Sequence, residues 1–422
     1  MANSISRAAI LSALLFSVQT SLAAQEWPRF RGPNGTGESE AATIPGRWTD
    51  DDYNWNIELP GVGNSSPVLW GNRLFILSAD PKTALRYVLC YDADTGENLW
   101  TREYESTPHQ LHSFSSYASS TPAVDEDHVY VAWSSPEAAV LKTFTHEGEL
   151  VWEKDLGPWH GQHGFGTSPM LFDGLVFLAN FQELHDDERG SDAVPPPSFL
   201  MAFDGKTGDE CWSIPRVKDN LAYAVPAIFQ PKEGRPQLVN NSTGSGVYAV
   251  DPDTGEELWS IQALDKRAVS SPLVKGDLIF GTTGSGGGGN YLAAVRSDGK
   301  TAEVAYKIEA AAPYVPTPVA RDDMLFMLND GGVVTLVELS TGKEIWQKRI
   351  GGNYHSSPVR AADKFICLSV EGEVVVLAAE KEFEELGRMS LGEGSRSTPA
   401  IARGQLYIRT FSRLMSVGGE DK

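Results

Sequence analysis

Short apolar runs alternate with glycine-rich turns along the chain, and no long stretch repeats its apolar residues with the 3.6-residue period of an amphipathic helix. Residues 247–259 show the basic unit. Residues 247–250 alternate as in a β-strand, residues 251–255 (Asp-Pro-Asp-Thr-Gly) have the composition of a tight turn, and residues 257–259 begin a second strand. The pattern predicts a β-hairpin with a buried tryptophan at its end.

The same hairpin recurs with its turn and its tryptophan at nearly fixed spacing. Clear copies lie at residues 91–100, 203–212, 247–259 and 338–346, and weaker ones at residues 145–152 and 296–306. A repeated unit buries its apolar face against its neighbours, so the repeat decides the fold. We expect the aromatic residue of each copy to pack between neighbouring units. The tryptophans concerned are Trp100, Trp152, Trp212, Trp259 and Trp346.

A second repeating signal is a proline, usually after Ser or Thr, that precedes a short apolar strand. It occurs eight times, at prolines 67, 122, 169, 226, 272, 318, 358 and 399, with intervals of 40 to 57 residues. Each of the first seven units then contains four short strands separated by turns. A four-stranded unit at this period is typical of a propeller blade, although the Gly-His and Trp-Asp signatures of WD40 blades are missing.

The last unit has three strands, and the fourth is found at the other end of the chain. Residues 53–59 read as a strand that precedes the first unit. The sequence therefore predicts an all-β fold, an eight-bladed β-propeller of four-stranded antiparallel blades, closed by an N-terminal strand that completes the last blade. The expected divisions are a signal peptide at 1–24, an N-terminal extension at 25–52, the propeller at 53–417 and a C-terminal tail at 418–422.

The first residues have the pattern of a secretory signal. Arg7 is followed by an apolar run at 8–18 and by small residues at 21–24, which predicts a cleavable signal peptide and a secreted or periplasmic location. No later stretch is apolar enough for a transmembrane span. The formal charge of −21 argues against binding to nucleic acid or to an anionic membrane surface. Three widely spaced cysteines, without a CxxC pair, indicate neither a disulfide framework nor a metal site.

The hairpin and the proline steps together resemble the tryptophan-docking repeat of the PQQ-type, quinoprotein-like eight-bladed propellers. That family includes quinoprotein alcohol dehydrogenases and the propeller of the outer-membrane assembly machinery. Residues 27–37 (Trp-Pro-Arg-Phe-Arg-Gly-Pro-Asn-Gly-Thr-Gly) are similar to the N-terminal segment of exported, planctomycete-type propellers. The dehydrogenases of the family carry an adjacent cysteine pair and a Ca²⁺ site beside the quinone. This chain has no adjacent cysteines, so we expect neither PQQ nor Ca²⁺ as a cofactor.

In a propeller the residues just before each proline step should surround the mouth of the central channel. At this position the chain carries aromatic and basic residues, which is notable in so acidic a protein. We therefore expect the mouth to bind an anionic group, a polysaccharide or a peptide, the alternative being an ordinary rim filled with water. The candidate residues are Asn64, Tyr117, His163, Phe165, Tyr223, Arg267, Tyr314, Tyr354, His355 and Arg396.

Other candidate chemistry is weaker. His160 and His163 have the spacing of two metal ligands without a third, and the acidic residues 186–192 lack the ordered spacing of a calcium loop. The glycine-rich residues 284–289 lack the Lys-Ser/Thr and the helix of a phosphate loop, and Ser245 lies in a turn rather than in a nucleophile elbow. We therefore expect no catalytic residue and no metal site.

These observations predict an exported, non-catalytic propeller that binds or scaffolds a protein partner through loops on one face, especially the insertion at 183–197. One alternative is a PQQ- and calcium-dependent dehydrogenase that acts on an alcohol or a sugar. Another is a propeller that binds carbohydrate, such as a polysaccharide, through its aromatic rim.

Overall fold

The computed structural model describes residues 26–161, 163–183, 197–216 and 222–419. The structure contains eight sheets with four antiparallel blade strands each, and in seven of them the four strands are consecutive along the chain. The predicted all-β, eight-bladed propeller is confirmed. Two short 3₁₀ helices, Pro33–Gly35 and Asp50–Asp52, and two strands, β1 (Glu38–Ser39) and β2 (Tyr53–Glu58), precede the first blade.

The strands of the first four blades have the following bounds. Blade 1 contains β3 (Val68–Trp70), β4 (Arg73–Ala79), β5 (Arg86–Asp92) and β6 (Asn98–Tyr104). Blade 2 contains β7 (Ala123–Val124), β8 (His128–Ser134), β9 (Ala139–Thr145) and β10 (Leu150–Asp155). Blade 3 contains β11 (Met170–Phe172), β12 (Leu175–Asn180), β13 (Ser198–Asp204) and β14 (Glu210–Arg216). Blade 4 contains β15 (Ala227–Phe229), β16 (Gln237–Ser242), β17 (Gly246–Val250) and β18 (Glu257–Ile261).

The remaining blades repeat this order. Blade 5 contains β19 (Leu273–Lys275), β20 (Leu278–Thr283), β21 (Tyr291–Ser297) and β22 (Ala302–Ile308). Blade 6 contains β23 (Val319–Arg321), β24 (Met324–Leu328), β25 (Val333–Glu338) and β26 (Glu344–Arg349). Blade 7 contains β27 (Val359–Ala361), β28 (Lys364–Leu368), β29 (Glu373–Ala378) and β30 (Glu385–Ser390). Blade 8 contains β31 (Ala400–Ala402), β32 (Gln405–Arg409) and β33 (Arg413–Gly418).

The N-terminal strand β2 closes the ring. It pairs antiparallel with β33, with Asn56 opposite Met415 and Ile57 opposite Leu414, and becomes the outermost strand of blade 8. The predicted closure is confirmed. Because the first and last parts of the chain share one sheet, the closed ring leaves no unpaired blade at either terminus.

The meander defines two faces of the ring. The chain enters each innermost strand after its proline step on one face, which we call the mouth face. The turns between the first and second strands, and between the third and fourth, lie on the opposite turn face, because antiparallel strands reverse direction at each turn. The hairpin turns that contain Thr-Gly therefore lie on the turn face, away from the mouth.

Neighbouring blades are joined by an aromatic residue that docks on a glycine. The indole N–H of Trp212 donates to the carbonyl of Pro252 at 2.9 Å, and a Cβ on Gly255 would lie 2.8 Å from the Trp212 ring. Gly255 also has a φ of +73°, which favours glycine for a second reason. The same contact joins Trp55 to Gly96, Trp100 to Gly148, Trp152 to Gly208 and, through a tyrosine, Tyr306 to Gly342.

The other two repeat tryptophans use different acceptors. Trp346 donates its indole N–H to the carbonyl of Glu380 at 3.2 Å, whereas Trp259 donates to the side-chain oxygen of Gln237 at 2.8 Å. All five tryptophans singled out from the repeat are less than a tenth exposed. Their place in the molecule is the packing between blades, away from the channel.

The segment before the first blade packs across the turn face at the centre of the ring. Trp27 is fully buried and pairs with Leu69 of blade 1. The side chain of Asn34 both donates to and accepts from the backbone of Ile228 in blade 4, at 2.8 and 2.7 Å. Strand β1 then pairs parallel with β27 of blade 7. Residues 26–39, which we call the floor segment, are thus part of the packed ring, which the sequence did not reveal.

Arg31 connects the floor segment to two blades. Its guanidinium donates to the carbonyls of Thr317 and Pro318 in blade 6 and of Pro358 in blade 7, at 2.6 to 3.1 Å. The side chain is completely buried. Because these acceptors lie on the innermost part of two blades, Arg31 fixes the floor segment at the centre of the ring.

Candidate functional site

A cavity of about 360 Å³ occupies the centre of the ring on the mouth face. Its upper wall is formed by the loops between blades, and its lower wall by the residues of the proline steps. Phe30 of the floor segment also lines it, on the side of the turn face. The central channel is therefore a pocket with a mouth and a floor rather than an open pore.

Seven of the ten predicted rim residues line this cavity. They are Asn64, His163, Tyr223, Arg267, Tyr314, His355 and Arg396. The other three lie elsewhere. Tyr117 hydrogen-bonds the carbonyl of His109 at 2.6 Å, Phe165 packs edge-on against Trp159, and Tyr354 is fully buried in the apolar core. Phe165 and Tyr354 pack in the apolar interior between the blades, whereas Tyr117 packs against the ring of His109 and the guanidinium of Arg86.

The lower wall is a ring of hydroxyl groups that hydrogen-bonds from blade to blade. The backbone N–H of Ser66 donates to the hydroxyl of Thr121 in the next blade, at 3.0 Å, and the N–H of Thr121 donates to Ser168 at 2.9 Å. The pattern continues around the ring and ends with Thr398 donating back to Ser66 at 3.0 Å. The members, which we call the hydroxyl collar, are Ser66, Thr121, Ser168, Ser271, Thr317, Ser357 and Thr398.

The hydroxyl collar explains the repeated Ser/Thr before proline. At each of these positions the hydroxyl oxygen satisfies a buried N–H that no strand can pair. The single exception is Val225 in blade 4, which has no oxygen to accept the N–H of Ser168. The collar is thus a nearly complete circle with one gap, between blades 3 and 4.

One side of the mouth carries a balanced charge cluster. Arg267 lies 3.3 Å from the carboxylate of Glu183, which is almost fully buried, and 3.2 Å from Nε2 of His163. The ring of His112 lies 4.6 Å from the ring of His163. Burial lowers the pKa of His112, and the positive field of His163 and Arg267 lowers it further. The positive charge of Arg267 is therefore largely offset by Glu183.

The opposite side carries a cation without an acidic partner. The guanidinium of Arg396 lies between the rings of Phe114 and Phe411, at 5.3 and 5.2 Å, and no carboxylate of the described residues lies within 4.0 Å of it. Beside it, burial lowers the pKa of His355 to about 4, and the charge of Arg396 contributes. His355 is therefore neutral near pH 7, and Arg396 is the available positive charge.

Phe114 reaches this side from a connection that does not repeat. It lies on the long link between blades 1 and 2, yet it contacts the rings and charges of blades 7 and 8, with its ring 4.5 Å from that of His355. It is 52 % exposed, which is high for so large an apolar side chain. The sequence did not identify Phe114 or His112 as site residues, because the link between the blades has no repeat to place it.

The residues that a quinone or a metal would need are not brought together. Among the described residues, no group of three or more His, Cys, Asp or Glu side chains is placed to hold a metal ion. The three cysteines are separate and free, on β5, β14 and β28. Two weaker candidates from the sequence lie partly outside the described residues. These are the His160 and His163 pair, where Gln162 is not described, and the acidic insertion, where residues 184–196 are not described. The described residues therefore do not fit a quinone site of the family, which needs adjacent cysteines and a set of calcium ligands.

Comparisons with known proteins give a consistent fold. The family model described as outer membrane protein assembly factor BamB matches residues 49–183, 86–261 and 197–418. The structure of BamB from Moraxella catarrhalis superposes with a TM-score of 0.61 over 87 % of this chain and 97 % of that chain, at 14 % identity. The structure of quinohemoprotein alcohol dehydrogenase from Comamonas testosteroni superposes with a TM-score of 0.61 over 94 % of this chain and 81 % of that chain, at 13 % identity.

One curated relative matches part of the chain. Tetrathionate hydrolase from Acidithiobacillus ferrooxidans is 22 % identical over 241 residues, which are 54 % of this chain and 42 % of the relative. The chain therefore spans less than half of that relative's length. In the part of the chain that the structure describes, no helix has the length and apolar character needed to cross a membrane.

Proposed function

Because the chain belongs to the family described as outer membrane protein assembly factor BamB, we propose that it is a non-catalytic binding and scaffolding module for a protein partner. The partner docks on the mouth face and places an anionic group in the central cavity. The module works outside the cytoplasm, as the signal-like residues 1–24 suggest.

The observation that carries this proposal is the state of Arg396. A half-buried guanidinium between two aromatic rings, without a carboxylate partner, favours an incoming anion, because the cost of its partial desolvation is already present in the free protein. Arginine and aromatic residues at the centre of a concave surface are also the usual anchors of protein interfaces. Phe114 and Arg396 are such a pair, since both line the central cavity.

The shape of the cavity agrees with insertion of a single group. Its volume of about 360 Å³ is at the lower end of the range of about 300–1,000 Å³ that small ligand sites occupy. The floor segment limits the depth to which a group can enter. The surrounding loops would supply the wider contact that a specific protein interface needs, on the order of 800 Å² from each partner.

Site-specific photo-crosslinking in the native host tests this proposal. A photoreactive residue at position 114 should give a defined crosslinked partner, and the variant Arg396→Met should lose most of that product. The matched control is Arg235→Met, since Arg235 is 70 % exposed on the turn face and should leave the yield unchanged. A partner that crosslinks equally well to the wild type and to Arg396→Met would overturn the proposal.

The dehydrogenase alternative makes a different prediction. Purified protein incubated with PQQ and Ca²⁺ would show quinone absorbance and would reduce an artificial electron acceptor when an alcohol or a sugar is added. We expect neither, because the described site lacks the adjacent cysteines and the acidic cluster. Turnover with stoichiometric quinone would replace the scaffolding proposal with an enzymatic one. The carbohydrate-binding alternative would show itself as binding to a glycan array that Phe114→Ala abolishes.

A further inference from the structure

The hydroxyl collar presents unused hydrogen-bond donors to the channel. Each collar oxygen already accepts the backbone N–H of the preceding blade, at 2.9 to 3.1 Å. In the described part of the chain, none of these hydroxyls donates its own hydrogen to a protein atom, and all line the cavity. Since a hydroxyl carries one donor and two acceptor positions, the group left for a ligand includes the O–H hydrogen of every member.

The side chains of the collar are held in place. Each member is at most 4 % exposed, so its rotamer is restricted by the packing of the blade. A donor fixed in this way binds an acceptor without a further loss of side-chain freedom. The level of the collar is therefore a preorganised ring of seven donors.

Buried cations surround the same level. Arg31 donates to the carbonyl of the collar residue Thr317 at 3.1 Å, and Arg409 donates to the carbonyl of Ser65, the neighbour of collar residue Ser66, at 3.2 Å. Arg29 belongs to the floor segment, one residue before Phe30 of the cavity lining, and its own side chain faces blades 3 and 4. All three arginines are at most 4 % exposed, and no carboxylate of the described residues lies within 4.0 Å of any of their guanidinium groups.

Such charges produce a strong local field in an otherwise acidic protein. Charges interact more strongly in a protein interior than in water, because the effective dielectric constant is lower. Burial lowers the pKa of Arg29, Arg31 and Arg409 to about 9, because removal from water disfavours the charged form. The guanidinium nitrogens of Arg29 have no hydrogen-bond partner among the described residues. A buried cation in this state is stabilised by any anion that comes near.

We propose that the hydroxyl collar is a binding site for a small oxyanion of the sulfate or phosphate class, held by collar O–H donors and by the field of the buried arginines. This site lies below Arg396 and does not depend on a protein partner, so it goes beyond the proposed function. The collar contains no carboxylate, so the field of the buried arginines favours an anion over a cation. Several fixed O–H donors at one level favour an anion with several oxygen atoms over chloride.

The gap at Val225 provides a gain-of-function test. Val225→Thr is nearly isosteric and adds an eighth hydroxyl, which accepts the N–H of Ser168 and presents one more donor to the channel. Thr398→Val removes one donor with little change of volume. Thr101→Val, on the outer strand of blade 1, is the matched control because it makes the same chemical change far from the collar.

Isothermal titration of the full-length mature protein with millimolar sodium sulfate, with sodium chloride at the same ionic strength as reference, measures the binding. We expect one sulfate site, strengthened roughly two- to tenfold by Val225→Thr and weakened by a similar factor by Thr398→Val, as one hydrogen bond implies. Thr101→Val should match the wild type. If Thr398→Val does not fold, the comparison of Val225→Thr with the wild type decides alone.

Three results would overturn the proposal. They are the absence of sulfate binding, equal binding of sulfate and chloride, and an affinity that Val225→Thr leaves unchanged. Arg396→Met separates this site from the mouth: sulfate binding that disappears in that variant would place the ion at Arg396 and refute the collar. Sulfate binding that survives while photo-crosslinking fails would refute the protein-partner proposal and leave the collar intact.

Discussion

Replacing Gly255 with alanine should show how much of the stability between blades comes from the docking of Trp212. Two effects act at this position. The φ of +73° is unfavourable for alanine, by about 1–2 kcal/mol. The new Cβ would also lie 2.8 Å from the Trp212 ring, so the indole or the turn must move. Overpacking of this kind costs a further 1–3 kcal/mol or so.

Gly276 is a control for the first effect alone. It has a φ of +62° in the turn between β19 and β20, and a Cβ added there has no neighbour within 4 Å. Gly276→Ala should therefore lower the free energy of unfolding by only about 1–2 kcal/mol, which is the cost of the left-handed conformation for alanine. The difference in free energy of unfolding between the two alanine variants measures the contact with the indole.

A double-mutant cycle gives the same quantity independently. Trp212→Ala should cost about 3–5 kcal/mol, as other large-to-small core substitutions do. In that background the contact with the ring no longer exists, so Gly255→Ala should cost the same as Gly276→Ala. The coupling energy is then on the order of 1–3 kcal/mol. Urea unfolding followed by far-ultraviolet circular dichroism measures it, since the signal does not rely on the deleted indole.

The reasoning fails if Gly255→Ala and Gly276→Ala are equally stable, or if Trp212→Ala and Gly255→Ala are additive. Either result would mean that the turn tolerates a methyl group beside the indole. The glycine of the repeat would then be needed for its backbone conformation only.

Three further predictions concern the core, the floor segment and the mouth. Trp259→Ala should lower the free energy of unfolding by about 3–5 kcal/mol, and an unchanged melting temperature would contradict its packing between blades. Arg31→Met leaves buried carbonyls of blades 6 and 7 without a donor, so limited proteolysis should cut the floor segment faster while the blades stay intact. His355 has a pKa of about 4 in the folded protein, below its ordinary value of 6.5. Between these two pH values the unfolded chain binds a proton at this residue and the folded protein does not, so stability falls as the pH decreases from about 6.5 towards 4. His355→Gln should make that loss shallower in urea midpoints measured at pH 7 and pH 5, and an identical slope would show that other groups cause it.

The repeat made the fold predictable because each of its residues has a local physical role. In the turn of blade 4, the side chain of Asp251 accepts hydrogen bonds from the N–H groups of Asp253 and Thr254, at 2.9 and 3.1 Å, as its spacing to Gly255 indicates. The proline steps likewise located most of the cavity wall. At Tyr354 the same rule placed a side chain in the channel that the structure buries in the core, because position along the chain does not determine which way an aromatic side chain turns.

The other site residues could not be found in this way. Phe114 belongs to a connection whose path is set by contacts with distant blades, and Phe30 belongs to a segment before the first repeat. The role of the collar was hidden for a different reason. Ser and Thr before proline are common in turns, and only the arrangement in a closed ring gives each hydroxyl a backbone N–H of the neighbouring blade.

The floor segment also has a consequence for the order in which the molecule assembles. Glu38 meets Arg360 across 322 positions of the chain, and β2 meets its partner β33 across a still longer interval. Strands β1 and β2 therefore have no partner strand until blades 7 and 8 have been made, whereas Trp27 can already pair with Leu69 of blade 1. Contacts at such separation slow folding, since the chain must close a very large loop before it gains their energy. Blades 1 to 7 contain all four of their own strands and can form in sequence, so the docking of Arg31, the pairing of β1 with β27 and the pairing of β2 with β33 should be the final, rate-limiting step.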